Sequence, residues 1–314
     1  MKILITRRIN NKAVGFLKDH FEVDYIAQNK PLDQNFLLSN LKKYDGVLSC
    51  VSERFDAKVL SNAVPKLKAI SNMATGLDNI DLRKAKELGI KVFNTPGIVT
   101  DSTADMTVAL GLSLIRNIPN AFLYIKNKKW KGWDPEAFVG RTIQGLYWGI
   151  IGFGAIGQAV AKRMYGFGPK IIYYDPYKDV KHIGDSISVK KVDLDELLSK
   201  ANIISIHVPL ERETIHLIGQ EQFNKMKKRP FLINMARGKI VDTEALVEAL
   251  KSRKISGAAL DVFDPEPLNG AHEVLRFNNI IMTPHIGTAT KECRKLMALR
   301  AAENLIVYFE GKYD

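Results

Sequence analysis

The sequence predicts an α/β protein made of two doubly wound parallel-sheet domains, one inserted in the other. Three observations predict it. Short apolar runs alternate with amphipathic stretches along most of the chain, the pattern of βαβ units. A length of 314 residues suits two cores better than one. Turn-rich segments fall at Asn94-Thr95-Pro96-Gly97 and at Thr283-Pro284-His285-Ile286-Gly287, where the chain is expected to leave an outer domain and come back to it. The expected outer domain is 1–97 with 287–314, and the inner one is 98–286.

In the outer domain, strands are expected at 2–6, 46–50, 67–72 and 91–94, with helical patterns between them. Ser102 and Asp105 then stand at roughly capping-box spacing. Behind them Met106, Ala109, Leu110, Leu114 and Ile115 recur at helical spacing, so one long helix should run to Pro119. The inner series of strands is expected at 146–151, 170–174, 203–207, 231–234, 257–262 and 279–282. Helices are signalled at 193–200 and at 242–251, where Asp242 can cap and Leu246, Val247 and Leu250 supply a buried face. A last amphipathic helix is expected over 290–311.

Composition narrows the function classes. Apolar residues at 46% and charged ones at 25% are the proportions of a globular protein. The net charge of +12 invites anionic partners. Its densest groups, Lys126, Lys128, Lys129 and Lys131, and Lys225, Lys227, Lys228 and Arg229, are short and far apart, which argues against nucleic acid. Cys50 and Cys293 are the two cysteines, so no disulfide framework is expected and a cytoplasmic setting fits. The apolar run at the N-terminus is too short for a signal peptide, and no stretch approaches the roughly 20 apolar residues a membrane span needs.

Gly152-Phe153-Gly154-Ala155-Ile156-Gly157 follows one expected strand and opens a helical pattern, the required context of a dinucleotide fingerprint. The first glycine serves a tight turn, the second lets backbone approach a pyrophosphate, and the third lets helix and strand pack. The next strand ends at Asp175, 18 residues beyond Gly157. A carboxylate there suits ribose hydroxyls and repels a 2′-phosphate, so NAD is expected rather than NADP. Lys178 and Lys181 lie close by in sequence and pull the other way.

Arg237, Glu266 and His285 each follow an expected strand of the inner series, where ligands of doubly wound sheets bind. Reduction of a ketone needs a proton donor, and an imidazole beside a carboxylate is suited to it. A guanidinium fork suits a substrate carboxylate. The other histidines show no metal-ligand spacing, and no metal is expected.

These segments resemble the D-isomer-specific 2-hydroxyacid dehydrogenases, and the resemblance runs over essentially the whole chain. Gly76-Leu77-Asp78-Asn79-Ile80-Asp81 is similar to that family's substrate loop, the glycine fingerprint with Asp175 to its NAD site, and the segments of Arg237, Glu266 and His285 to its catalytic motifs. Residues 94–105 and 130–135 look most like the glyoxylate and hydroxypyruvate reductases. The resemblance implies a Rossmann NAD domain inside a smaller flavodoxin-like substrate domain, a homodimer paired through an apolar arm reaching Trp133, and a 2-oxo or 2-hydroxy acid substrate. It further implies that Arg237 binds substrate, that Glu266 assists a proton donor His285, and that Thr75 and Gly76 hold the substrate carboxylate. Asp261 would meet the nicotinamide carboxamide, Met235, Ala236 and Thr103 the cofactor pocket, and Pro209 the adenine ribose. Thr75 departs from the smaller or aliphatic residue common at its position. Oxidation of D-3-phosphoglycerate or D-lactate, and an NADH-sensing co-repressor-like regulator, stay open as alternatives.

Overall fold

The computed structural model describes residues 1–184 and 186–311. They form two compact units, one made of Met1–Val99 with the segment from Thr288 on, the other of Thr100–Gly287.

The first unit begins with β1 (Lys2–Ile5), α1 (Asn11–Lys18), β2 (Glu22–Tyr25), α2 (Gln34–Asn40), β3 (Gly46–Ser49), α3 (Ala57–Ala63), β4 (Ala69–Asn72), α4 (Leu82–Glu87) and β5 (Lys91–Phe93). The strands are parallel in the order β2-β1-β3-β4-β5, the flavodoxin-like winding. β2 was not expected: its Glu-Val-Asp-Tyr sequence sits at the sheet edge with no fully buried residue, so it carries no apolar run. Aspartates start three of the helices, Asp33, Asp56 and Asp81 each accepting from an amide of the first turn.

The second unit holds α5 (Thr100–Ile115), α6 (Ile118–Lys126), β6 (Tyr147–Ile151), α7 (Ala155–Tyr165), β7 (Lys170–Tyr174), the small hairpin β8 (His182–Ile183) and β9 (Ile187–Ser188), and β10 (Lys190–Lys191). α8 (Leu194–Lys200), β11 (Ile203–Ile206), α9 (Gln220–Lys225), β12 (Phe231–Asn234), α10 (Thr243–Lys251), β13 (Gly257–Leu260) and β14 (Ile280–Met282) follow. Its seven parallel strands run β10-β7-β6-β11-β12-β13-β14, a Rossmann winding whose direction reverses between β6 and β11. Both faces are buried: Ile150, Ile203, Ile233 and Ala259 join one apolar cluster, while Ile151, Ile204, Leu232 and Ala258 join the other. Trp148, wholly buried, donates from Nε1 to Ser205 Oγ at 2.9 Å. Gly111 of α5 gives it room, since a β-carbon there would fall 2.6 Å from the indole. The chain then returns to the first unit as α11 (Lys291–Phe309), capped by Thr290 and packed on α1, β3 and β4.

The long helix expected from Ser102 to Pro119 stops at Ile115, and α6, which was not expected, follows from Ile118. The long helix starts earlier, at Thr100, because the Ser102 hydroxyl donates to Gly287 O at 2.9 Å instead of capping. It breaks at Asn117, which is left-handed with φ 54°, and α6 departs at 67°. Among the described residues no single helix is long and apolar enough to cross a membrane. Strands expected to reach 207 and 262 stop at Ile206 and Leu260, leaving His207 and Asp261 in the loops beyond the sheet.

Candidate active site

In the second unit, Gly152 closes β6 with φ 89°, and a β-carbon on it would lie 2.8 Å from the backbone of His207 and Val208. Gly154 is the N-cap of α7 and leaves the first turn without a side-chain cap. A β-carbon on Gly157 would lie 2.2 Å from Gly152 O, so the helix closes tightly on the turn only because Gly157 has none. Ala155 and Ile156 stand in that first turn, whose amides and positive dipole end are suited to an anion at the switch point of the sheet. Asp175, at the end of β7 and 9% exposed, braces the turn: its Oδ2 accepts from Phe153 N at 2.8 Å, and Oδ1 accepts from the amides of Tyr177 and Lys178. Oδ2 retains an acceptor position. Pro209, beyond β11, is exposed.

Arg237, Glu266 and His285 follow the neighbouring strands β12, β13 and β14 on one sheet end. Asn234, 1% exposed, shapes the first loop by accepting from Ala236 N at 3.1 Å and donating to Arg237 O at 2.9 Å. The Arg237 guanidinium donates to Ala236 O at 2.8 Å. His285 is left-handed, φ 53°, and its amide donates to Asp261 O at 2.8 Å. The Asp261 carboxylate, also 1% exposed, holds that loop by accepting from Thr283 Oγ1, Ile286 N and Gly287 N at 2.5, 2.8 and 2.7 Å. So placed, His285 Nδ1 lies 2.6 Å from Glu266 Oε1. Burial opposes the charged form of Glu266, but the His285 hydrogen bond and charge, the Phe263 amide and the Arg237 guanidinium outweigh it. The carboxyl therefore titrates below the usual glutamate range.

Met235, Ala236 and Thr103 are buried. Gly287 gathers two of them with Asp261: a β-carbon there would meet Met235 Cε at 3.0 Å, Asp261 Oδ2 at 3.2 Å and Thr103 Cγ2 at 3.7 Å.

In the first unit, the loop after β4 presents Thr75, exposed, and Gly76, half-buried. Three consecutive carbonyls are tied down: Ala74 O by Thr95 N at 2.9 Å, Thr75 O by Asn94 Nδ2 at 2.8 Å and Gly76 O by Asn72 Nδ2 at 3.2 Å. Among the described residues no acceptor meets the amides of Thr75 and Gly76, so the loop offers two adjacent donors to an anion.

The family model for the D-isomer specific 2-hydroxyacid dehydrogenase, NAD binding domain, matches residues 108–287. The chain belongs to the D-isomer-specific 2-hydroxyacid dehydrogenases. A glyoxylate reductase of Thermococcus litoralis is 41% identical over 315 residues, spanning 99% of this dehydrogenase and 94% of the relative. Among solved structures, a protein of Thermus thermophilus superposes with a TM-score of 0.92 at 40% identity, over 99% of this chain and 97% of that one. The NAD complex of a Staphylococcus aureus NAD-dependent formate dehydrogenase gives 0.89 at 31% identity, over 100% and 97%. The dehydrogenase is thus an NAD-linked oxidoreductase acting on 2-oxo and 2-hydroxy acids, and its second unit carries the NAD-binding domain. The glycine turn, the uncapped first turn of α7 and the Asp175 carboxylate fit a dinucleotide.

Sequence reasoning missed Asn234 and Asn72, which shape the two loops, and Gly238. A β-carbon on Gly238 would fall 2.0 Å from the Phe263 carbonyl. The Arg237-Gly238 pair was the only local signal.

Proposed function

We propose that this dehydrogenase reduces a short 2-oxo acid, glyoxylate or hydroxypyruvate, to the D-2-hydroxy acid with NADH. The observation that carries the reading is the 2.6 Å contact of His285 Nδ1 with Glu266 Oε1. With Nδ1 held by the carboxylate, Nε2 is the ring nitrogen left to give a proton. When bound, the reduced nicotinamide supplies the hydride. His285 gives its proton to the carbonyl oxygen as that oxygen gains charge, and the ionised Glu266 stabilises the imidazolium beforehand and fixes the ring. Arg237 holds the substrate carboxylate and the adjacent carbonyl in its planar fork, which selects the face that is reduced. Thr75 and Gly76, in the first unit, supply two amides suited to a substrate carboxylate. The Asp261 Oδ2, beside Met235 and Thr103, keeps an acceptor position for a carboxamide.

Support for a short unphosphorylated substrate comes from the glyoxylate reductases among the relatives. A panel of 2-oxo acids followed at 340 nm tests it. Oxidation of NADH is expected with glyoxylate and hydroxypyruvate, and none with either would overturn the choice.

The same reading makes the enzyme a homodimer. Every residue of α6 keeps some exposure, and Ile118, Phe122, Leu123 and Ile125 together with Trp130 and Trp133 form an apolar arm that water disfavours. Sedimentation should show a dimer, and a monomer at micromolar concentration would remove the claim. Both cysteines are thiols, in keeping with a cytoplasmic enzyme.

A further inference from the structure

We propose that the Arg7–Glu53 ion pair is a positioning element for the Thr75 and Gly76 amides, acting through Asn79 and Asn72; the role, though not the geometry, rests on the substrate reading above. Glu53 is a carboxylate with no exposed surface. Its Oε1 takes an Arg7 guanidinium nitrogen at 3.4 Å, and its Oε2 accepts from Cys50 N at 2.9 Å. The guanidinium is held in turn by Asn29 O at 2.6 Å and Ser52 Oγ at 2.9 Å.

The pair thereby sets the turn after β3, and that turn aims two backbone carbonyls at one side chain. Asn79 Nδ2 donates to Glu53 O at 2.8 Å and to Cys50 O at 3.3 Å. Asn79 Oδ1 then receives Asn72 Nδ2 at 2.9 Å, and the same amide nitrogen donates to Gly76 O at 3.2 Å. Asn72 Oδ1 is fixed by Ser49 Oγ at 3.0 Å. The amide orientation of both asparagines is therefore set on each side, and the Gly76 carbonyl has one direction in which to point. The amide in that peptide is the one of Leu77, so the network pins the residue that follows the Thr75 and Gly76 amides and limits how those two can turn.

A carboxylate buried this deeply is tolerated only when paired and hydrogen-bonded. Its place in the molecule is informative: strands and helices of the first unit already have their backbone partners, whereas the loop over 73–79 has no regular structure and depends on side chains for its shape. Neither Arg7 nor Glu53 is given a substrate contact. They act on binding through the loop, so their loss should fall on KM for the 2-oxo acid and leave the hydride step and the dinucleotide site alone.

The test compares wild type with Glu53→Gln and with the double variant R7M/E53Q, which removes both charges and leaves no buried charge unpaired. KM for glyoxylate and inhibition by oxamate, an unreactive 2-oxo acid isostere, are measured beside kcat, NADH affinity by fluorescence, and deuterium exchange of the 73–79 segment. KM and the oxamate Ki should each rise about tenfold or more, with kcat and NADH affinity within about threefold, because displaced donors weaken binding before they alter chemistry. Glu53→Asp, which keeps the charge, should recover most of the loss, and exchange over 73–79 should quicken in both charge-removing variants. A folded R7M/E53Q enzyme with unchanged KM, Ki and exchange would overturn the proposal, as would losses shared equally by NADH binding. Exchange reads the link from the pair to the loop without any substrate, so a wild type inert toward 2-oxo acids would sink the functional reading separately.

Discussion

Gly238 packs its α-carbon directly against the carbonyl of Phe263: a β-carbon there would lie 2.0 Å from both the carbon and the oxygen of that group, and 2.5 Å from Asp264 N. This contact seats the Arg237 loop on the loop that leads to Glu266. Gly238→Ala must push the two apart. We expect a loss of about 3 kcal/mol in stability, at the upper end of overpacking costs, and a fall of about 100-fold or more in kcat/KM. Thermal unfolding and steady-state kinetics check both. An alanine enzyme with wild-type kinetics would show that the loop contact has no bearing on the site.

Removing the charge beside the imidazole should be nearly as damaging as removing the imidazole. Glu266→Gln and His285→Ala are each expected to lower kcat about 100-fold, with the double variant little worse than either, since residues that act as a unit do not add. Full kcat in Glu266→Gln would break the assignment. The depressed titration of Glu266 also fixes a sign: its contribution to stability is present above the ordinary glutamate value and is lost only as pH falls through the lower value it has in the folded protein.

Asp175 serves two purposes, bracing Phe153 N and closing β7, so its replacement should be read in two measurements. If Asp175 selects against NADP as expected, Asp175→Ser removes the charge that would repel a 2′-phosphate. The ratio of kcat/KM with NADPH to that with NADH should rise about tenfold or more, accompanied by a lower melting temperature from the lost amide contacts. An unchanged ratio would mean that cofactor choice lies elsewhere.

Acid should destabilise the second unit through His207. Among the described residues neither buried ring nitrogen has a hydrogen-bond partner, and burial drives the imidazole down to about 3. Above pH 6.5 the ring is neutral in both folded and unfolded chains and contributes no pH dependence. Between 6.5 and about 3 the unfolded chain gains a proton that the folded one refuses, so stability falls by about 1.4 kcal/mol per pH unit. His207→Leu should flatten that slope in urea titrations at pH 4 to 6 and cost little at pH 7, because no hydrogen bond is lost. A slope unchanged by the substitution would place the acid sensitivity in other groups.

The sheet of the second unit was legible because its strands, such as Ile203–Ile206 and Lys170–Tyr174, are buried on both faces and read as β-branched and aromatic runs. β2 was illegible because an edge strand with polar residues carries no such run. The break at Asn117 is not legible in the sequence, because apolar spacing continues on either side of it; the residue that stops the helix does so by backbone conformation. At the site, the positions of Arg237, Glu266 and His285 beyond three strands could be read directly. The fit of Gly238 against Phe263, and the path from Arg7 to Gly76, could not, since each joins residues distant in sequence through a contact that only the folded chain creates.

The hydrogen bond from Ser102 Oγ to Gly287 O fastens the first turn of α5 to the last residue of the second unit. The inserted half is therefore a cassette whose two ends are tied side by side, and the host chain is interrupted across a short gap, so the insertion imposes little loop-closure entropy on the host. Such an arrangement lets a dinucleotide module be exchanged or excised as one piece, with a few bridging residues restoring continuity to the remainder.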